Sequence, residues 1–567
     1  MSQPIQTLKR IFSPEVLLWF YPLLLIVPNV ALDFTEPTGV CSKITNVVLP
    51  WGVYMLLMGL WKNIGRTASL VLFPVLFYGA FQIVLLFLYG RSIIAIDMFL
   101  NVMTTNPTEA SELLGNLKGA MATICVLYLP SLVWAIILAC RRKFPSPASR
   151  DKARIGGLAA IAVGLVCLVL SYLFSDNFRV TREIFPVNVI SNTVTALERT
   201  DETEKFYETS AAFSYQASST RPKDEKEIYV LVIGETSRAD NWQIFGYDRP
   251  TNPRLAKRQN LITFSKALSE SNTTHKSVPL MMTWLTADNF GDSIYEIKSI
   301  VDAFNEAGFN TAFLSNQGRN HSFIDFFAGE AQKTVFLKDK EKESYDAELI
   351  PYLKDFISRS SNDKIFVVLH TYGSHFNYRD RYPSQFEIFK PCTNTDADPN
   401  NRKDLINSYD NSILMTDAFL DDVIHVLEAD SSSASLIYLA DHGEDIYDDS
   451  RKRFLHASPV PTYYQIHVPL LIWMSQTFKD RHPRLFATAN AHRQCDVSSS
   501  RVVFDTMLQL AGISTPYASP RKALTDHRYE NVGRRYLNDY NEGVRLDQSG
   551  LSEPDFEQLK AHGISAE

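Results

Sequence analysis

Five long apolar runs fill the first third of this 567-residue chain and dictate that this part folds as membrane helices. They cover roughly 15–33, 45–61, 68–89, 120–140 and 155–174. A bilayer core takes about 20 apolar residues of helix to cross, and most of the runs reach that length. Buried helices of a soluble core would show so many uncharged runs only rarely. The second run is the shortest and contains Pro50, which makes it the weakest of the five. The first is longer than a signal-peptide core and lacks a small-residue cleavage site, so it is read as retained. Basic residues set the orientation. Lys9 and Arg10 precede run one, Lys62 and Arg66 separate runs two and three, and Arg141, Arg142, Lys143, Arg150, Lys152 and Arg154 separate runs four and five. The alternate loops carry only Lys43, Arg91 and Lys118. The N-terminus is therefore expected in the cytoplasm and everything after residue 175 outside it.

Averages hide this division. A hydrophobic share of 46% and a net charge of -7 describe neither half. The mild acidity and the lack of a large basic cluster argue against a nucleic-acid partner. Residues 176–225 are polar and read as a juxtamembrane connector with some helix. From 226 onward strand-like and helix-like runs alternate: strands at 228–234, 310–314, 365–369, 436–440 and 468–474, helices at 293–307, 343–358 and 403–428. That alternation predicts an α/β domain over 226–535 with a mostly parallel, doubly wound sheet. Residues 536–567 read as a polar tail. Cys125, Cys140 and Cys167 lie in or beside apolar runs, whereas Cys41, Cys392 and Cys495 fall outside. Spacing leaves a Cys392–Cys495 disulfide open.

The chemistry sits where strands stop. Leu436-Ile-Tyr-Leu-Ala runs into Asp441-His442-Gly443-Glu444, and Ile228-Tyr-Val-Leu-Val-Ile-Gly234 runs into Glu235. Ile365-Phe-Val-Val-Leu369 runs into His370, with His375 five residues on. Strands that deliver Glu, His and Asp-His to one sheet edge suggest a metallohydrolase-type site. The nucleophile is expected at Thr274, in Ser271-Asn-Thr-Thr274-His-Lys-Ser277-Val-Pro279, a polar loop running into a helix. A helix start suits phosphate. A Thr hydroxyl needs activation, which a dication shared with Glu235, Asp441 and His442 would provide. Capping of the helix by Thr273 and Thr274 is the plainer alternative. His375 and His456 are loop histidines at the same edge, suited to a second metal, to phosphate or to protonating a leaving group.

These residues resemble the phosphoethanolamine transferases that decorate bacterial lipid A, membrane members of the alkaline phosphatase/sulfatase superfamily. The matching motifs are Ile233-Gly-Glu235-Thr-Ser-Arg238-Ala-Asp240 with Gly246-Tyr247, Thr274-His-Lys-Ser-Val-Pro279, Ser374-His375, Asn407-Ser-Tyr409-Asp410-Asn411, Asp441-His442-Gly-Glu444 and Leu455-His456. The resemblance covers nearly the whole chain and implies an alkaline-phosphatase-like domain. It implies zinc on Glu235, Thr274, Asp441 and His442, a phosphoethanolamine adduct on Thr274, and catalytic roles for His375 and His456. A second zinc ion and manganese both stay open. It further implies that Asn101, Thr105 and Glu109 in an outer loop face the donor head group, where Glu109 could pair with its ammonium. A phosphatidylethanolamine donor, a lipid A or other envelope glycan acceptor, the inner membrane with a periplasmic catalytic domain, and a monomer are the remaining expectations.

The chain departs from that pattern twice. Glu270 and Leu280 occupy places where the family often has a disulfide around the nucleophile loop. Asn316-Gln-Gly-Arg319-Asn-His321-Ser322 replaces a substrate-binding Ser and Lys, and Arg319 and His321 are the candidates to contact phosphate. A sulfatase would need Cys or Ser followed by x-Pro-x-Arg. Ser277-Val-Pro279-Leu280 starts that motif, but Met281 replaces the Arg. A phosphoglycerol transferase is the nearer alternative, and the Glu235-Thr-Ser-Arg238 segment with Asn101, Thr105 and Glu109 favours the ethanolamine donor. A receptor with a dead enzyme-like domain would not keep every proposed ligand.

Overall fold

The computed structural model describes residues 12–35, 38–90, 94–104, 117–175, 178–222, 225–339, 344–430, 432–531 and 533–567, without the side chains of 101–104 and 292. The chain divides into two compact units, one built from residues up to Phe99 and Leu117–Leu197, the other carrying Glu198–Glu567. The division falls within the segment 176–225 read as a connector.

The first unit is helical. Helices Pro14–Leu25 with Val27–Thr35, Val40–Leu60, Lys118–Cys140 and Pro147–Phe174 are each long and apolar enough to cross a bilayer. The pair Ile64–Val71 and Phe73–Tyr89, bent by 51°, makes a fifth span if taken as one. The break therefore falls in the third run, not at Pro50, which sits inside an unbroken helix. Serine caps start two of the helices: Ser13 Oγ accepts from Val16 N at 3.3 Å and Ser146 Oγ from Ser149 N at 3.1 Å. Helices Val40–Leu60 and Pro147–Phe174 meet backbone to backbone. A Cβ on Gly157 would lie 2.8 Å from Gly52 O, so only glycine allows the approach.

The second unit is built on a seven-stranded sheet. Its strands are β1 Glu227–Gly234, β2 Leu261–Phe264, β3 Asn310–Ser315, β4 Lys333–Phe336, β5 Lys364–His370, β6 Ser433–Ala440 and β7 Leu470–Met474. The spatial order is β2-β7-β6-β1-β5-β3-β4. β6, β1, β5, β3 and β4 run parallel, and β7 is antiparallel to both its neighbours. Every residue of β1, β5 and β6 is buried, as expected of strands covered on both faces. Expected helices recur as Ile300–Glu306, Leu349–Arg359 and Arg402–Ala429.

The last segment is not a free tail. It forms a hairpin, Arg535–Leu537 with Gly543–Arg545, and a helix, Glu553–Ala561. Leu559 and Ile564 are buried in a cluster with Leu268, Tyr463, Ile466 and Tyr536. Spaced apolar residues suffice because they fill a groove that the sheet domain has already built. All six cysteines are free, so Cys392 and Cys495 form no disulfide.

Candidate active site

The site exists because three strands stop level. Ile233 of β1 pairs with His370 of β5, and Gly234 pairs with Ala440 of β6. Glu235 and Asp441 therefore leave the sheet side by side, tied by Asp441 N donating to Gly234 O at 3.0 Å. After β5 the chain turns through Gly373 at φ +46, where a Cβ would sit 2.5 Å from Glu235 O. Only glycine lets the backbones come this close.

Each ligand candidate is held from behind. Glu235 Oε1 accepts from Thr236 Oγ1 at 2.6 Å and Oε2 from Gln317 Nε2 at 3.0 Å. Asp441 Oδ1 accepts from Thr236 N at 3.0 Å and His442 N at 2.7 Å. Its Oδ2 has no hydrogen-bond partner among the described residues, although it is fully buried. His442 Nδ1 donates to Gly443 O at 3.0 Å, which leaves Nε2 with a free lone pair. That Nε2 lies 3.3 Å from Asp441 Oδ2, 3.7 Å from Glu235 Oε1 and 3.1 Å from Thr274 Oγ1.

This arrangement fits a dication. The ligand atoms of Glu235, Asp441 and His442 lie within 4.8 Å of one another. Two carboxylates, one neutral imidazole and one hydroxyl form a donor set that zinc accepts. Electrostatics point the same way. Burial and then the Asp441 charge push the Glu235 carboxyl up to about 8, and burial pushes Asp441 up to about 7. Burial pulls His442 down to about 4. Buried carboxylates this close call for a positive charge between them.

Thr274 is the first residue of the helix Thr274–Met282. Thr273 occupies the cap in extended backbone but makes no side-chain capping bond. Capping therefore does not account for this pair, and the Thr274 hydroxyl faces His442 instead. His456 follows the short hairpin Asp445–Ile446 with Phe454–Leu455. Its ring centroid lies 4.1 Å from that of His442 and 5.9 Å from that of His375. Burial pulls His456 down to about 4 and His375 far below its usual range. Glu444 is fully buried, 3.7 Å from His456 Nδ1, and burial pushes it up to about 8.

Other expected residues lie elsewhere. His370 ends β5, but its ring faces Ser315 Oγ and Gln317 Nε2, each at 3.2 Å, behind the cluster. It is a buried neutral histidine, not a ligand, because a residue on the strand itself points into the sheet packing while the next residues turn out to the edge. Arg319 is on the surface, stacked on Phe336 and 3.5 Å from Asp339. His321 lines a small cavity with His275 and Lys276. Thr105 and Glu109 lie outside the described residues, as does the side chain of Asn101. Gln317 escaped the sequence reading. It stands two residues past β3, so the strand-end rule that exposed Glu235 and Asp441 applies to it too.

No disulfide secures the nucleophile loop. The C-terminal hairpin does: Leu537 N donates to Glu270 O at 2.7 Å and Lys276 Nζ to Asn538 O at 2.7 Å. Glu270 itself is buried, and its Oε2 has no hydrogen-bond partner among the described residues. Burial pushes its carboxyl up to about 7. A raised carboxyl favours the fold when protonated, so its contribution is full at acid pH and is lost as pH rises through about 7. Glu270→Gln is expected to raise the thermal midpoint at pH 8 by about 2–4 °C, with a smaller gain at pH 5. Thermal unfolding of both proteins at the two pH values checks this, and an equal shift at both would refute it.

Comparison with known proteins agrees with the geometry. The Sulfatase family matches residues 227–513, and the family described as Phosphoethanolamine transferase EptA/EptB matches 53–200. Phosphoethanolamine transferase EptA of Salmonella typhimurium is 30% identical over 440 residues, covering 74% of this chain and 78% of that protein. Kdo(2)-lipid A phosphoethanolamine 7''-transferase of Escherichia coli K12 is 28% identical over 523 residues, covering 86% and 90%. The solved integral membrane protein lipooligosaccharide phosphoethanolamine transferase A (EptA) from Neisseria meningitidis superimposes with a TM-score of 0.72 at 23% identity, covering 90% of this chain and 98% of that one. A metal-ready cluster at level strand ends, a threonine at a helix start, apolar helices before them and these matches lead to one conclusion: the chain belongs to the phosphoethanolamine transferase family of the alkaline phosphatase/sulfatase superfamily.

Proposed function

We propose that this enzyme moves phosphoethanolamine from phosphatidylethanolamine to a phosphate or sugar oxygen of lipid A or lipopolysaccharide. The observation that carries the reading is Thr274 Oγ1, 3.1 Å from His442 Nε2 at the start of a helix and beside two buried carboxylates. A zinc ion held by Glu235, Asp441, His442 and Thr274 would lower the hydroxyl pKa and neutralise phosphoryl charge.

The chain's own residues then carry two displacements. In the first, the Thr274 proton passes to solvent, Oγ1 bonds to phosphorus, and the bond from phosphorus to the diacylglycerol oxygen breaks. The Glu444–His456 pair supplies the proton that the departing oxygen needs, and His375, with its ring centroid 5.9 Å from that of His456, holds a phosphoryl oxygen. In the second, an acceptor oxygen attacks the same phosphorus and the Oγ1–phosphorus bond breaks. The acceptor's proton, or one from solvent where the acceptor is an ionised phosphate, restores the Glu444–His456 pair, and Thr274 Oγ1 regains its proton from solvent. The apolar helices keep the lipid donor near the site, in the inner membrane with the catalytic unit on the periplasmic side. In this reading Asn101, Thr105 and Glu109 receive the head group.

The test uses purified full-length protein in liposomes containing lipid A and one donor lipid. Lipid A should gain the mass of one phosphoethanolamine unit with phosphatidylethanolamine and nothing with phosphatidylglycerol. No gain with the first, or a phosphoglycerol gain with the second, would overturn the reading.

A further inference from the structure

The nucleophile and the expected proton donor sit on different loops, and one buried amide joins them. Asn272, two residues before Thr274, is 3% exposed and spends its whole side chain on hydrogen bonds. Its Nδ2 donates to Ser458 O at 2.9 Å and to Gln465 Oε1 at 2.7 Å. Its Oδ1 accepts from Tyr536 Oη at 2.8 Å. Its main-chain oxygen accepts from Ala457 N at 3.1 Å. Gln465, fully buried, continues the chain: its Nε2 donates to Leu455 O at 3.0 Å and Asp445 Oδ2 at 2.9 Å.

The polar backbone groups on both sides of His456 are thereby pinned: Leu455 O before it, Ala457 N and Ser458 O after it. The pinning is needed. Leu455 at φ +68 and Ala457 at φ +59 are both left-handed without being glycine. Such conformations are strained for residues with a Cβ and persist only where surrounding contacts fix them. The network fixes them from the loop that carries the nucleophile.

We propose that Asn272 and Gln465 are positioning residues that lock the Thr274 loop onto the His456 loop, so that attacking oxygen and proton donor face one phosphorus at a set separation. Tyr536 completes the lock from the C-terminal hairpin, which gives that segment a role in turnover. The proposal rests on the two-displacement reading above.

The experiment compares two donors in detergent micelles with full-length protein. Diacylglycerol must be protonated as it leaves phosphatidylethanolamine, whereas nitrophenolate leaves p-nitrophenyl phosphoethanolamine without a proton. Asn272→Ala is expected to lower kcat on the lipid about 10–100-fold with KM nearly unchanged, but to slow nitrophenolate release by only about 2–3-fold. Tyr536→Phe should shift both in the same direction by less, and the double variant should be no worse than Asn272→Ala alone. Equal losses on the two donors, or additive losses in the double variant, would overturn the proposal in favour of simple structural support. If Asn272→Ala fails to fold in thermal unfolding, Tyr536→Phe decides the question, since it removes one hydroxyl. Wild-type protein inactive on both donors would bring down the transfer reading itself.

Discussion

Thr274→Ala is expected to lower turnover of phosphatidylethanolamine by about 10⁴-fold or more while leaving the protein folded, because it removes the proposed attacking oxygen. Two features isolate this effect. The hydroxyl lies 3.1 Å from His442 Nε2 and beside the Asp441 carboxyl, and Thr273 rather than Thr274 holds the cap position, so its loss frees no helix cap. The helix behind it is held by its own buried face, from Val278 to Met282, and by Lys276 to Asn538 O. The thermal midpoint should therefore move little. Intact-protein mass spectrometry after a pulse of donor should find one phosphoethanolamine on the wild type, on the peptide containing Thr274, and none on the variant. Thr274→Ser should keep part of the activity, since it retains the oxygen. Adduct or full turnover surviving in Thr274→Ala would eliminate this residue as the nucleophile.

Metal removal carries the other large effect. Stripping the protein with a chelator should abolish transfer, and added zinc should restore it. Binding of the ion should also be visible in stability, because a ligand at about 1,000 times its Kd adds about 4 kcal/mol to the folded state. The thermal midpoint is thus expected to fall on chelation. Asp441→Asn and Glu235→Gln should each weaken zinc binding by about 100-fold or more, a larger loss than the 10–100-fold typical when only an outer support is removed. Both variants remove a charge that a bound cation would balance, and both should narrow the difference between metal-loaded and stripped protein. A purified enzyme whose activity and midpoint ignore chelation would refute the metal site.

The sheet and the cluster were legible because both follow from local rules. Uninterrupted Val, Ile and Leu runs mark strands covered on both faces, and an abrupt Glu235 or Asp441 marks where each one leaves the core. His370 defeated that rule by one position: it is still strand, so packing claims it. The third apolar run looked continuous because hydrophobicity alone does not reveal its 51° bend; the break falls just before Pro74, which lacks the N–H that would carry the preceding helix onward. The C-terminal residues looked like a tail because Leu559 and Ile564 are too sparse to announce a core of their own. Asn272, Gln465 and Tyr536 were invisible for the same kind of reason. Each is ordinary in its own segment, and their meaning arises only when residues nearly 200 and more than 260 positions apart share a hydrogen bond.

The level stopping of β1, β5 and β6 has an evolutionary corollary. Reaction chemistry is inherited from the frame, since any chain keeping that register keeps Glu235 and Asp441 adjacent. The connecting segments can then vary without moving that pair. Exchange of surface segments can therefore change what surrounds the site while the strands beneath stay as they are.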